Sequence, residues 1–222
     1  MNTWLRKAVL FSMVLAVSTV RAQETSKPDV TRLGASGFYK LSVADFAKLR
    51  MTYAEREDFT PRWEDHADRE KITDFWDEDK VDEGMKLAKA WLEKHPVDGK
   101  MHMWYAFFLK EKGDMRGYFK HMHFYYGLLA SIADSGTGRT ADSPMSVISV
   151  AEEYTLLRSL GAEVKQQSIQ ANKARVLRDR MECEVDGKEL TLYFDVTIPM
   201  ASTRKILRGA DHEKTDPPMQ QK

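Results

Sequence analysis

The stretch Asp114–Gly161, DMRGYFKHMHFYYGLLASIADSGTGRTADSPMSVISVAEEYTLLRSLG, joins two kinds of structure and decides how the chain is read. Met115, Phe119, Met122, Tyr126, Leu129 and Ala133 recur at alternating four- and three-residue spacing, and Tyr118, His121, Tyr125, Leu128 and Ile132 form a second stripe beside them. This periodicity predicts one long helix. The remaining face holds Gly127, Ala130 and Ser131, residues small enough for another element to approach closely, so the helix is expected to be central and buried. Ser135-Gly136-Thr137-Gly138 then reads as a helix end and turn that uses glycine's access to positive φ. It is not a phosphate loop, because it follows a helix, leads into an extended segment at Met145–Ile148, and lacks the lysine-containing phosphate-loop pattern.

Ser149-Val150-Ala151-Glu152 is a capping box that opens a second helix: Ser149 accepts from the Glu152 N–H, and the Glu152 carboxylate is expected to reach back to the Ser149 N–H. Glu153 places a further negative charge in the first turn, where the helix dipole favours it. Tyr154 and Leu157 are expected to carry the packing face, and Gly161 to stop the helix. The adjacent carboxylates Glu152 and Glu153 also have the form of an acid/base pair, but capping and the dipole account for both locally.

Gly127-Leu128-Leu129, Ser131-Ile132, Ser135-Gly136, Gly138, Val147-Ile148, Glu152-Glu153-Tyr154 and Leu160-Gly161 together resemble the central signature of a mostly secreted bacterial family, the domain of unknown function DUF4919. Gln167-Ser168-Ile169, Asp179 and Tyr193-Phe194-Asp195 are similar to its later motifs, so the resemblance spans roughly residues 40–200. Thr137, Met145-Ser146 and Arg178 depart from its usual pattern. The resemblance implies an exported protein and brings no activity with it.

Outward from this stretch, the N-terminus carries an export signal. Arg6 and Lys7 precede the apolar run Ala8–Val20, which is too short for a typical membrane span, and Val20-Arg21-Ala22 offers a cleavage site before Gln23. Residues 1–22 are therefore expected to be a Sec-type signal peptide, 23–40 a mobile leader and the product periplasmic or secreted, with no stable membrane insertion after cleavage. The 222-residue chain balances 34 basic against 34 acidic residues, and loss of Arg6, Lys7 and Arg21 leaves a net charge of −3. That excludes the basic footprint of a nucleic-acid binder. Cys183 is the single cysteine, so no internal disulfide exists, and strand alternation favours a buried thiol over pairing between chains.

A first helix is expected from Ser42, with Asp45 at the capping position and Phe46, Leu49 and Tyr53 facing inward. Pro61 is read as the first turn of a helix through Trp63, and residues 64–80 as a solvated helical or turn region anchored by Ile72, Phe75 and Trp76. Val81, Met85, Ala88 and Leu92 mark a helix ending at His95-Pro96, and another spans Met101–Lys112 before Gly113-Asp114. The helix–turn–helix run resembles tetratricopeptide packing without a second copy of that motif, and such arrays often present a groove.

In the C-terminal part the period changes to two. Val164–Ile169 reads as extended, and Arg175–Val185 with Lys188–Ile198 flank the hairpin turn Asp186-Gly187. Residue 185 then faces 188, which puts Met181, Cys183, Leu190, Leu192 and Phe194 on the core face and sets Arg178 opposite Asp195 as a cross-strand ion pair. Asp179 falls on the apolar face beside Phe194, the position of either a strand-end carboxylate or a tuned acid.

The expected fold is α+β: an antiparallel array of about five helices with tetratricopeptide-like packing, then a small antiparallel sheet with a β-hairpin and one packed helix. Residues 41–208 are expected to form a single domain, helical over 41–134 and mixed over 135–208, with 209–222 a disordered tail. No cofactor motif is present, and the six histidines lack metal-ligand spacing: His121 and His123 are two apart on a helix, and His66, His95 and His102 lie on separate segments. Three readings follow. The leading one is a non-enzymatic binding or interaction module for a protein or small-molecule partner. The second is a hydrolase-type enzyme using His121, Glu153, Asp179 or Asp195, which requires at least two of these to meet in one pocket. The third is a structural assembly subunit, which calls for a large exposed apolar patch.

Overall fold

The computed structural model describes residues 41–171 and 177–213. Seven helices, one 3₁₀ turn and four strands run through them. The fold is α+β, with most of the helices preceding a mostly antiparallel sheet. The expected signal peptide and leader, and residues 214–222 of the expected tail, lie outside the described residues. Among those described, no helix is long and apolar enough to cross a membrane. The chain divides into two compact units, one of residues up to Phe46 together with Trp63–Ser131, the other of Ala47–Arg62 together with Ile132 onward.

Helix α1 (Val43–Ala54) begins with the expected reciprocal cap. Asp45 Oδ2 accepts from the Ser42 N–H at 2.8 Å, and Ser42 Oγ accepts from the Asp45 N–H at 3.2 Å. The helix expected at Pro61 is a single 3₁₀ turn, Trp63–Asp65, and α2 (Ala67–Asp77) starts afresh where His66 Nδ1 accepts from the Asp68 N–H. Ile72 and Trp76 anchor α2 as its sequence implies, but Phe75 is only half-buried. Helix α3 (Val81–Lys94) buries Met85, Ala88 and Leu92 of the expected stripe, with Trp91 beside them, and leaves Val81 half-buried.

Helix α4 spans Gly99–Glu111, two residues earlier than its apolar pattern suggests. Asp98 is the reason. Its Oδ1 accepts from the Met101 N–H at 2.9 Å, and its Oδ2 takes Arg69 Nε at 2.7 Å and Trp91 Nε1 at 3.0 Å. One buried carboxylate thus caps α4 and ties it to α2 and α3.

Helix α5 runs Met115–Asp134. Gly127 permits a close approach as expected: a Cβ there would sit 2.1 Å from the Phe46 ring. The expectation that α5 is buried throughout needs correction. Met122, Tyr125, Leu128 and Leu129 are buried, but Met115 is 42% and Phe119 48% exposed. Apolar periodicity marks a face, and the first turns of α5 carry that face with nothing laid over it among the described residues.

The second unit holds a four-stranded sheet in the order β1-β4-β3-β2, made of β1 (Met145–Ser146), β2 (Glu163–Ala171), β3 (Leu177–Val185) and β4 (Lys188–Asp195). Gly138 adopts φ +66° in the preceding loop. The hairpin has the expected register, Val185 against Lys188, Cys183 against Leu190, Met181 against Leu192 and Asp179 against Phe194. Asp186 and Gly187, at φ 50° and 75°, form the turn that enforces it. Met181, Cys183, Leu192 and Phe194 are buried, and Cys183 is a free thiol.

Helix α6 (Val150–Ser159) is capped by Ser149 Oγ, which accepts from the Glu152 N–H at 3.1 Å. It ends where Gly161 takes φ +68° and the Ala162 N–H bonds back to the Leu157 carbonyl. Its packing face is Leu156 and Leu157, whereas Tyr154, expected inward, is 38% exposed.

β4 stops at Asp195, short of the expected Ile198. The β-branched run Val196-Thr197-Ile198 extends the strand pattern, but Asp195 Oδ1 accepts from the Thr197 N–H at 3.0 Å and opens α7 (Thr197–Glu213), with Pro199 in its first turn. Two helices therefore accompany the sheet, and residues 209–213, expected in the tail, are helical.

Candidate functional site

Residues 149–153 and 179 build the most unusual chemistry in the chain. With Ser149 as cap, Glu152 and Glu153 occupy the first turn of α6, and side chains three and four apart share a helix face. Glu153 therefore points the same way as Leu156 and Leu157, into the unit. On β3, alternation places Asp179 with Met181 and Cys183 on the inner face. Two carboxyls, one from a helix start and one from a strand, are thereby enclosed together: Glu153 is 0% and Asp179 2% exposed.

Burial is the main force on both. It pushes the Glu153 carboxyl up to about 9, with the neighbouring charges of Asp179 and then Glu152 adding to it. Asp179 is also raised by burial, opposed by hydrogen bonding from Gln167 and from the Arg180 backbone. A carboxyl pushed up to about 9 keeps its proton at neutral pH, so Glu153 is a protonated member of the pair. Gln167 Nε2 donates to Asp179 Oδ2, and Tyr154 Oη donates to Gln167 Oε1 at 2.8 Å. This polar chain runs from the exposed tyrosine to the enclosed acids. Glu153 Oε1, Glu153 Oε2 and Asp179 Oδ1 have no hydrogen-bond partner as the side chains stand. The sequence placed Glu153 as a dipole-stabilised negative charge; it is an enclosed acid that burial drives to hold its proton instead.

Glu152 also departs from expectation. Its Oε2 accepts from the Ile148 N–H at 2.9 Å, not from Ser149, and both oxygens take a fork from Arg50, Nε at 2.8 Å and Nη2 at 2.7 Å. Arg50 Nη2 also donates to the Ser146 carbonyl. The pair is 1% and 5% exposed. Sequence reasoning missed Arg50, although its position between Phe46 and Tyr53 on the apolar stripe of α1 was the available signal.

The other two candidates lie apart from this pair. Asp195 caps α7, and Arg178, its expected ion-pair partner across the strands, turns its Nε to the Ala141 carbonyl. His121 belongs to the first unit, where its Nδ1 lies 2.8 Å from His102 Nδ1. His102 Nε2 faces the Pro96 carbonyl at 3.1 Å. A carbonyl only accepts, so His102 carries its proton on Nε2 and His121 donates through Nδ1. Burial holds His102 down to about 3 and His121 to about 4. His102 was not foreseen as a partner because nineteen residues separate the two. Among the described residues, no group of three or more His, Cys, Asp or Glu side chains converges as a metal site.

Two carboxyls brought side by side are an arrangement that acid–base chemistry uses. Both carboxyls are nevertheless closed to solvent, and the open end of the network is Tyr154 and Gln167.

The sequence profile of a family described as a domain of unknown function, DUF4919, matches residues 38–205. No curated protein and no solved structure matches the chain.

Proposed function

For a chain that belongs to the DUF4919 family, we propose a non-enzymatic interaction module, exported by the Sec route and cleaved after Ala22, that holds a protein partner through its sheet. One observation carries this reading. β2 ends the strand order, and most of its residues are exposed, Ile169 at 56%. An edge strand offers a row of backbone donors and acceptors that another chain can complete. The signal-like segment Arg6–Ala22 supports export, and the balance of charge argues against a nucleic-acid partner.

A hydrolase is the second reading, favoured by the meeting of Glu153 and Asp179. Their enclosure weighs against it, since neither carboxyl presents an atom to a substrate.

The test is a photo-crosslinking residue placed at position 169 in the exported protein, in its own cells. A discrete adduct is expected at 169, none at the exposed hairpin residue 188, and the same yield in a Glu153→Gln background. Absence of any adduct at 169 refutes the module reading. Loss of the adduct in a correctly folded Glu153→Gln protein shifts the assignment to the acid pair.

A further inference from the structure

Resting on that reading, we propose that the occupant of the β2 edge is a second copy of this chain, its β2 running antiparallel to the first across Gln166–Gln170. The strand is protected at one end and open at the other. Its start carries a register shift between Val164 and Gln166, and Lys165 there pairs with Glu163 and Glu184. A bulge and a charged lysine are the usual guards of an edge. Beyond the bulge, Gln166-Gln167-Ser168-Ile169-Gln170-Ala171 contains no charge.

The faces sharpen the point. Gln167 pairs with Met181 and Ile169 with Asp179, so both share the inner face of the sheet. Ile169 therefore belongs to the apolar layer, yet it is 56% exposed. A strand laid alongside would extend that layer over it.

The chemistry selects a copy of this chain over a foreign peptide. Strand addition takes affinity from the backbone and specificity from side-chain pockets. Gln167, the inner-face neighbour of Ile169, is already committed to Asp179 and Tyr154. A second β2 arrives already extended and held by β3, so little ordering entropy is lost, and a two-fold axis at Ser168 sets Ile169 against Gln167 of the other copy with no like charges opposed. A strand pair alone buries less than a standard interface, so the dimer is weak and concentration-dependent.

The experiment is sedimentation velocity of the exported protein from micromolar to near-millimolar concentration, with amide hydrogen exchange at both extremes and oxidation of Ser168→Cys. Expected are a concentration-dependent dimer, slowed exchange confined to 166–170, and a disulfide-linked Ser168→Cys dimer that a Lys188→Cys control does not form. Ile169→Lys, at an exposed position, is expected to abolish the dimer with an unchanged melting temperature. A monomer at every concentration with no Ser168→Cys crosslink overturns self-pairing, as does a dimer that survives Ile169→Lys with exchange in β2 unchanged. If self-pairing fails while residue 169 still crosslinks to a different protein, the interaction-module reading stands without it. If residue 169 crosslinks to nothing, both fall.

Discussion

Glu153→Gln is expected to stabilise the sheet-containing unit, by an amount that grows with pH. An unfolded glutamate titrates near 4.5, whereas burial beside Asp179 pushes the folded carboxyl up to about 9. Between those values the folded chain holds a proton that the unfolded chain has released. The stabilising contribution is thus complete below the unfolded value and is lost as pH rises toward the folded one, at about 1.4 kcal/mol per pH unit. By pH 7 the loss is about 3 kcal/mol, and by pH 9 about 6 kcal/mol.

Glutamine keeps the shape of a protonated Glu153 and cannot ionise. Parent and variant should be nearly equal at pH 5, and the variant more stable by about 3 kcal/mol at pH 7. At a typical urea slope this is a midpoint shift of about 1–3 M. The assay must see the right unit. Trp63, Trp76, Trp91 and Trp104 all lie in the helical unit, so hydrogen exchange of β3 and β4 amides under increasing urea is the suitable probe. A parent and variant with the same pH slope, or a variant less stable at pH 7, would refute a proton held on Glu153.

The remaining predictions concern other buried groups. Arg50→Ala leaves Glu152 enclosed without its fork and should cost about 3–5 kcal/mol, measured as global exchange protection in β3 and β4, whereas loss of a surface pair such as Arg56–Asp58 should cost under about 1 kcal/mol. The helical unit should respond to acid in the opposite sense to the sheet unit. His102 and His121 are held down to about 3 and 4, so the stability they confer is complete above 6.5 and is lost as pH falls, about 2 kcal/mol per histidine by pH 5. Tryptophan fluorescence in urea at pH 5 and pH 7 reads this directly, and His102→Gln should flatten the dependence.

Legibility in the sequence follows the range of the interaction. The Ser42–Asp45 box, the Ser149 cap, the Gly161 stop and the Asp186-Gly187 turn each close within a few residues, so spacing and residue type were sufficient to place them. The hairpin register followed from its turn, and with it the odd position of Asp179 on the apolar face. What spacing could not supply was the partner. Spacing alone makes Glu152 a complete cap, whereas Arg50, 102 residues away in sequence, is what holds it. Glu153 reads as a dipole-favoured charge because that explanation is local, whereas its enclosure beside Asp179 exists only once the sheet has formed. Asp98, Arg69 and Trp91 meet only once α2, α3 and α4 have packed, and His121 acquires its tautomer from His102. The converse error, an α5 taken as buried from end to end, has the same origin. A 3.6-residue pattern says which side is apolar, and only tertiary packing says how far along the helix that side is covered. Elements, caps and register were thus determined by short-range chemistry in the sequence itself. The state of every buried charge was decided by the tertiary structure, because desolvation and pairing depend on neighbours that the chain brings together only by folding.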